Sequence, residues 1–111
     1  MRIADDIKQS LPDFIELCRI HQVKSIYAFG SSITPHFNPD TSDIDLVVKI
    51  DNNNPLERGE MLLSLWDQLE DFFKRKVDLL TENSIKNPFL KRQIDSTKVL
   101  IYDGTSQKSF S

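Results

Sequence analysis

From Ile3 to Leu17 apolar residues return every three or four positions, at Ile3, Ile7, Leu11, Phe14, Ile15 and Leu17. That stripe predicts a helix over residues 2–20 with one face on a core. Pro12 interrupts it. Either it opens a second helix in its first turn, with Ser10 as the cap, or it kinks a single helix. Residues 24–29 form a short apolar run that stops at Gly30, as a buried strand does. After Asn38-Pro39-Asp40, a strong turn signal, residues 43–50 give the clearest strand, rich in β-branched and aliphatic side chains. Asp51 to Pro55 breaks it. The longest helix is predicted over residues 56–74, with Leu62, Leu65, Trp66, Leu69, Phe72 and Phe73 facing inward. Residues 77–80 read as a third strand, Asn87-Pro88 opens a final helix reaching about Asp95, and residues 98–102 read as a last strand. Strands alternate with helices, so the class is α/β (α+β), one sheet with helices packed against it. Residues 1–104 make one domain, and the polar residues 105–111 form a tail expected to fray.

Composition narrows the function. The 111 residues carry 14 Lys and Arg against 17 Asp and Glu, a net charge of -3. A dedicated nucleic-acid surface would be basic. No run approaches the ~18 apolar residues of a membrane span, and the acidic start Asp5-Asp6 is unlike a secretion signal. The single Cys18 has no disulfide partner, which points to a reducing, cytoplasmic setting. Cys18 and His21 share a helix three residues apart, but with no second pair they read as core residues rather than metal ligands.

Three features carry chemistry. In Phe29-Gly30-Ser31-Ser32 an apolar strand runs into Gly and hydroxyls, where Gly permits a sharp turn and a helical start offers free N–H groups to a phosphate. In Ser42-Asp43-Ile44-Asp45-Leu46 the alternation of a strand sends Asp43 and Asp45 to one side, about 7 Å apart. Mg²⁺ suits such a carboxylate pair completed by substrate phosphates. A solvated strand end is the plainer reading of the pair alone, but the strand is too apolar for an edge position. Asp78 is the third feature, a lone acid in an otherwise apolar strand. It either joins the other two or sits on an edge facing water.

Together these residues resemble the nucleotidyltransferases of the DNA polymerase beta type. The pattern is Phe29-Gly30-Ser31, an 11-residue spacer, Asp43-Ile44-Asp45, and a later carboxylate on a neighbouring strand, Asp78. The small size, the leading helix and the closing Val99-Leu100-Ile101-Tyr102 look like the minimal nucleotidyltransferases (MNT), the MntA-type antitoxins of HEPN/MNT toxin–antitoxin pairs. The resemblance implies a mixed sheet of about four strands. It implies Gly30, Ser31 and Ser32 on the phosphates of ATP, Asp43, Asp45 and Asp78 as catalytic and Mg²⁺-binding residues, and Asp78 as general base. It implies transfer of AMP to a protein hydroxyl with release of pyrophosphate, a HEPN-type toxin as partner, and a homo- or hetero-oligomer. The chain departs from the minimal group where many members carry Arg and Gly, having Ser32-Ile33-Thr34-Pro35-His36 instead. Lys91 or Arg92, on the last helix, are the candidates to supply that charge, although an ordinary solvated helix face is the plainer reading. Trp66 falls on an apolar stripe and reads as core rather than a base-stacking platform. Lys74-Arg75-Lys76 suits a helix C-terminus. The competing function is a binding module that neutralises a partner by contact, with a site that no longer turns over. A small-molecule acceptor is a third reading.

Overall fold

Ser10 splits the leading stripe into two helices, α1 (Arg2–Gln9) and α2 (Leu11–Ile20). The computed structural model describes residues 2–30, 43–104 and 108–109. Pro12 sits in the first turn of α2, where a missing N–H costs nothing. Strands β1 (Val23–Phe29) and β2 (Ile44–Ile50) follow, then α3 (Pro55–Phe73), β3 (Val77–Thr81), α4 (Pro88–Thr97) and β4 (Val99–Asp103). A fifth strand, β5 (Lys108–Ser109), adds two residues of pairing beyond the four strands expected. The sheet order is β3-β2-β1-β4-β5, and only β2 and β3 run parallel.

The two long-range helix starts use one device twice. Asn54 accepts hydrogen bonds from the N–H groups of Leu56 and Glu57, and Asn87 does the same for Phe89 and Leu90. Pro follows each Asn at the first helical position, where its fixed φ suits the helix. At the other end of α3, Lys74 adopts a left-handed conformation (φ 56°) and stops the helix.

The sheet's two faces differ. One is packed with Ile26, Ala28, Leu46, Val48 and Ile101 against Phe14, Leu17, Cys18, Leu65, Leu69 and Phe73 from the helices. Each Val, Leu, Ile or Phe among them contributes roughly 1.5–3 kcal/mol on burial. Phe14 centres this core, its ring 5.4 Å from Phe72 and 6.3 Å from Tyr102. Cys18 is fully buried there, and burial pushes its thiol well above the ordinary range. His21 is buried too. Its Nδ1 lies 2.8 Å from the Leu17 carbonyl, which can only accept, so Nδ1 carries the proton and Nε2 accepts from the Ser64 hydroxyl at 2.9 Å. Both residues are core, as their isolation in the sequence implies.

Helix α3 grips β3 at one residue. The Trp66 indole donates to the Val77 carbonyl at 2.6 Å, and a Glu70 carboxylate oxygen accepts from the Val77 N–H at 2.9 Å. Trp66 is therefore a half-buried packing residue. Among the described residues, no helix is long and apolar enough to cross a membrane. Gly59 lies inside α3 with helical φ, and a Cβ added there would meet nothing within 4 Å. Gly59→Ala is expected to stabilise the fold by about 0.5–1 kcal/mol, measured as an upward shift of the urea midpoint at constant slope.

Candidate active site

The opposite face of the sheet holds the carboxylates. Ile44 and Leu46 are fully buried in the core, so alternation along β2 turns Asp45 to the other side. Asp45 pairs in register with Phe29 of β1 and with Asp78 of β3. Neighbouring strands lie about 4.8 Å apart, so Asp45 and Asp78 stand one strand spacing from each other on one face. A hydrogen bond from the Ile44 N–H to the Lys76 carbonyl, 3.0 Å long, sets this register. Asp43 precedes β2 and is exposed. Asp78 is exposed as well, on the edge strand β3 beside β2.

Asp45 is half-buried among like charges. Burial, then Asp78, then Asp43 raise its carboxyl from the ordinary 3.8 to about 6. Two neighbouring acids thus act on the least solvated one, as the strand pattern anticipates. Gly30 abuts the same group. Its φ is +65°, and a Cβ there would sit 2.6 Å from the Asp45 carboxylate oxygen. The Gly of the Gly-Ser pair is therefore required twice, by its backbone conformation and by the acid beside it. The sequence supplies the first reason, whereas the second needs the β1–β2 pairing. Ser31 and Ser32 lie outside the described residues.

The donor set consists of carboxylate oxygens, the chemistry Mg²⁺ takes. Among the described residues, no three His, Cys, Asp or Glu side chains gather into a ready cage. Mg²⁺ is usually held by one or two carboxylates together with substrate phosphates, so a closed cage is not the requirement. Crowded negative charge about a half-buried acid is what a cation offsets, and in this respect the residues fit the ion. Lys91 and Arg92 are exposed on α4. Arg75 donates to the Phe73 carbonyl at the end of α3. The sheet also gathers Lys24, Lys49 and Lys98 beside Tyr27, residues whose proximity no local spacing reveals.

Comparison with known proteins gives the family and the fold. Residues 13–107 match the family described as polymerase beta, nucleotidyltransferase. The candidate protein adenylyltransferase MJ0126 of Methanocaldococcus jannaschii is 37% identical over 102 residues, covering 91% of this chain and all of that protein. A solved candidate minimal nucleotidyltransferase superposes with a TM-score of 0.61 at 22% identity, over 86% of this chain and 93% of the other. A toxin–antitoxin solved with AMP-PNP gives 0.54 at 22% identity, over 85% and 74%. The two structures share the fold. With the family matched across most of its length, the chain belongs to the polymerase beta nucleotidyltransferase family and is a nucleotidyltransferase.

Proposed function

We propose that the protein transfers AMP from ATP to a hydroxyl of a protein acceptor, and that it serves as the antitoxin of a HEPN/MNT-type pair. The observation that carries this reading is the placement of Asp45 between Gly30 and Asp78, with Asp43 close enough to raise its pKa. The adenylyl donor and the protein acceptor are supported by the name of the 37% identical relative, and the antitoxin role by the toxin–antitoxin neighbour.

In the proposed step the acceptor oxygen attacks the α-phosphorus of ATP. The bond from that phosphorus to the β-bridging oxygen breaks, and pyrophosphate leaves. Asp78, exposed on the edge strand, takes the hydroxyl proton as general base. Asp43 and Asp45 would hold Mg²⁺, and the bound ion would supply positive charge to the triphosphate and the leaving pyrophosphate. Gly30 and Ser31 would seat the β- and γ-phosphates, and Gly30 leaves room for the Asp45 carboxylate. The remaining work is alignment of acceptor and phosphorus.

The test is incubation with ATP labelled on its α-phosphate, Mg²⁺ and a host extract, with Asp45→Asn in parallel. Label on a discrete protein band, absent with the variant, is the expected result. No label from the native protein while it still captures and neutralises its partner would replace catalysis with inhibition by contact.

A further inference from the structure

Leu65 and Leu69 of α3 are fully buried, and helical periodicity puts Leu56, Gly59, Glu60 and Leu63 on the opposite side. All four are exposed, Leu56 at 73% and Leu63 at 68%. Residues at i, i+3, i+4 and i+7 frame a hole on a helix surface, which receives one side chain of a second helix. Gly59 makes this hole deep. A Cβ there would meet nothing within 4 Å, so no contact inside the chain calls for a residue that weakens a helix. Glu57, Glu60 and Asp67 border the hole, exposed and without a salt bridge among the described residues. Arg58 falls on the core side of α3, half-buried, and donates to the Asn52 carbonyl.

Helix α4 carries the counterpart. Ile94 is buried, and Phe89 and Arg92 lie on the side turned away from it. Phe89 is 79% exposed, and the Asn87 side chain accepts from its N–H, which fixes the backbone that presents the ring. Lys86, Lys91 and Arg92 surround it, exposed and without a salt bridge among the described residues. Asp95, the acid of this helix, is paired with Lys98.

We propose that Phe89 of one copy seats in the hole framed by Leu56, Gly59, Glu60 and Leu63 of a second copy, so that the chain associates with itself through α4 and α3. Charge names the occupant. Three carboxylates border the hole and three cations surround the ring, so the two patches attract each other while each repels its own kind. Arg92 stands one turn from Phe89 on the same face, as Glu60 and Asp67 stand beside the hole. Within one chain the two patches do not meet, since Leu56, Leu63 and Phe89 are all left exposed. The contact is head to tail. Each copy offers its ring to one neighbour and its hole to another, which builds a ring or a short chain of copies. One aromatic anchor with a charged rim makes a small, transient interface. None of these residues is among the site carboxylates, so the inference stands apart from AMP transfer.

The test is sedimentation equilibrium of the full chain from about 10 to about 1000 µM, the range of weak association. The expected result is an average mass that climbs above the monomer's with concentration. Raising salt from about 0.05 to about 0.5 M should weaken the association severalfold. Phe89→Ala removes the ring, and Gly59→Gln fills the hole with a good helix former. Both changes are at exposed positions, so far-UV circular dichroism should stay native. Each variant by itself should remain a monomer. Mixed in equal amounts they should form a 1:1 dimer and stop there, because the first keeps its hole and the second keeps its ring. A native chain that stays monomeric throughout assigns the two patches to other proteins and overturns the proposal. So does association that survives either variant, or a mixture that stays monomeric or grows past the dimer.

Discussion

Asp45→Asn is expected to make the ligand-free protein more stable at pH 7 and to abolish nucleotidyl transfer. The folded state holds the Asp45 carboxyl near 6, against an ordinary 3.8. Between those values the folded state binds the proton that the unfolded state has released. Stability from this group is therefore complete below about pH 4 and is lost as pH rises through about 6. If the carboxylate were fully sequestered, the cost at pH 7 would be about 3 kcal/mol. Asp45 is half-exposed, and solvent screening reduces this to about 1–2 kcal/mol. Asn removes the charge while keeping the shape, so thermal unfolding at pH 7 should shift upward by several degrees, roughly 4–8 °C per kcal/mol for a domain near this size. At pH 3.5 the gain should vanish. Mg²⁺ with a non-hydrolysable ATP analogue should stabilise the native protein and do little for the variant. A variant less stable than the native chain at pH 7 would mean that the charge is not the burden described here.

Gly30→Ala should cost more in rate than in stability. A residue with a Cβ pays about 1–2 kcal/mol at φ +65°. Its Cβ also meets the Asp45 oxygen at 2.6 Å. That oxygen is the end of a short side chain, so it yields by rotating away, and the fold survives. On the proposed mechanism, moving the Asp45 carboxylate by about an ångström is worth on the order of a hundredfold in rate. The measurement is kcat for labelled AMP transfer beside the urea midpoint, and the expected signature is a collapse of the first with a modest fall of the second. In an Asp45→Ala background the oxygen is gone, so Gly30→Ala should show backbone strain alone. Equal stability costs in both backgrounds would remove the contact from the account.

Much of the site is legible in the sequence because its information is local. The Asp43-Ile44-Asp45 alternation predicts neighbouring acids without any knowledge of the sheet, and Asp43, just ahead of β2, does act on Asp45. Asn54-Pro55 and Asn87-Pro88 announce helix starts by chemistry that acts within three residues. What escapes is pairing. That Phe29 and Asp78 flank Asp45 follows from two strand registers, one closed by the long connection before β2 and the other by α3. The lysine cluster beside Tyr27 escapes for the same reason, since Lys24, Lys49 and Lys98 come from separate segments. The stripe over residues 2–20 has a different limit: periodicity reports the buried face equally well for one helix or for two in line. The break at Ser10 turns on how the chain resolves Pro12.

The attachment of α3 to Val77 has a consequence for how the sheet ends. The bond from Ile44 to Lys76 fixes which backbone groups of β3 turn toward β2, so those of Val77, Leu79 and Thr81 turn outward. At Val77 both are taken, by Glu70 and Trp66. At Thr81 both are taken by the Ser84 hydroxyl, which accepts from the N–H and donates to the carbonyl. Among the described residues, Leu79 is the outward position of β3 with neither group so taken. A foreign strand would have to strip side-chain bonds at both ends to add itself here, at about 1 kcal/mol apiece. The margin that carries Asp78 is thereby closed to aggregation while the Asp78 side chain stays exposed.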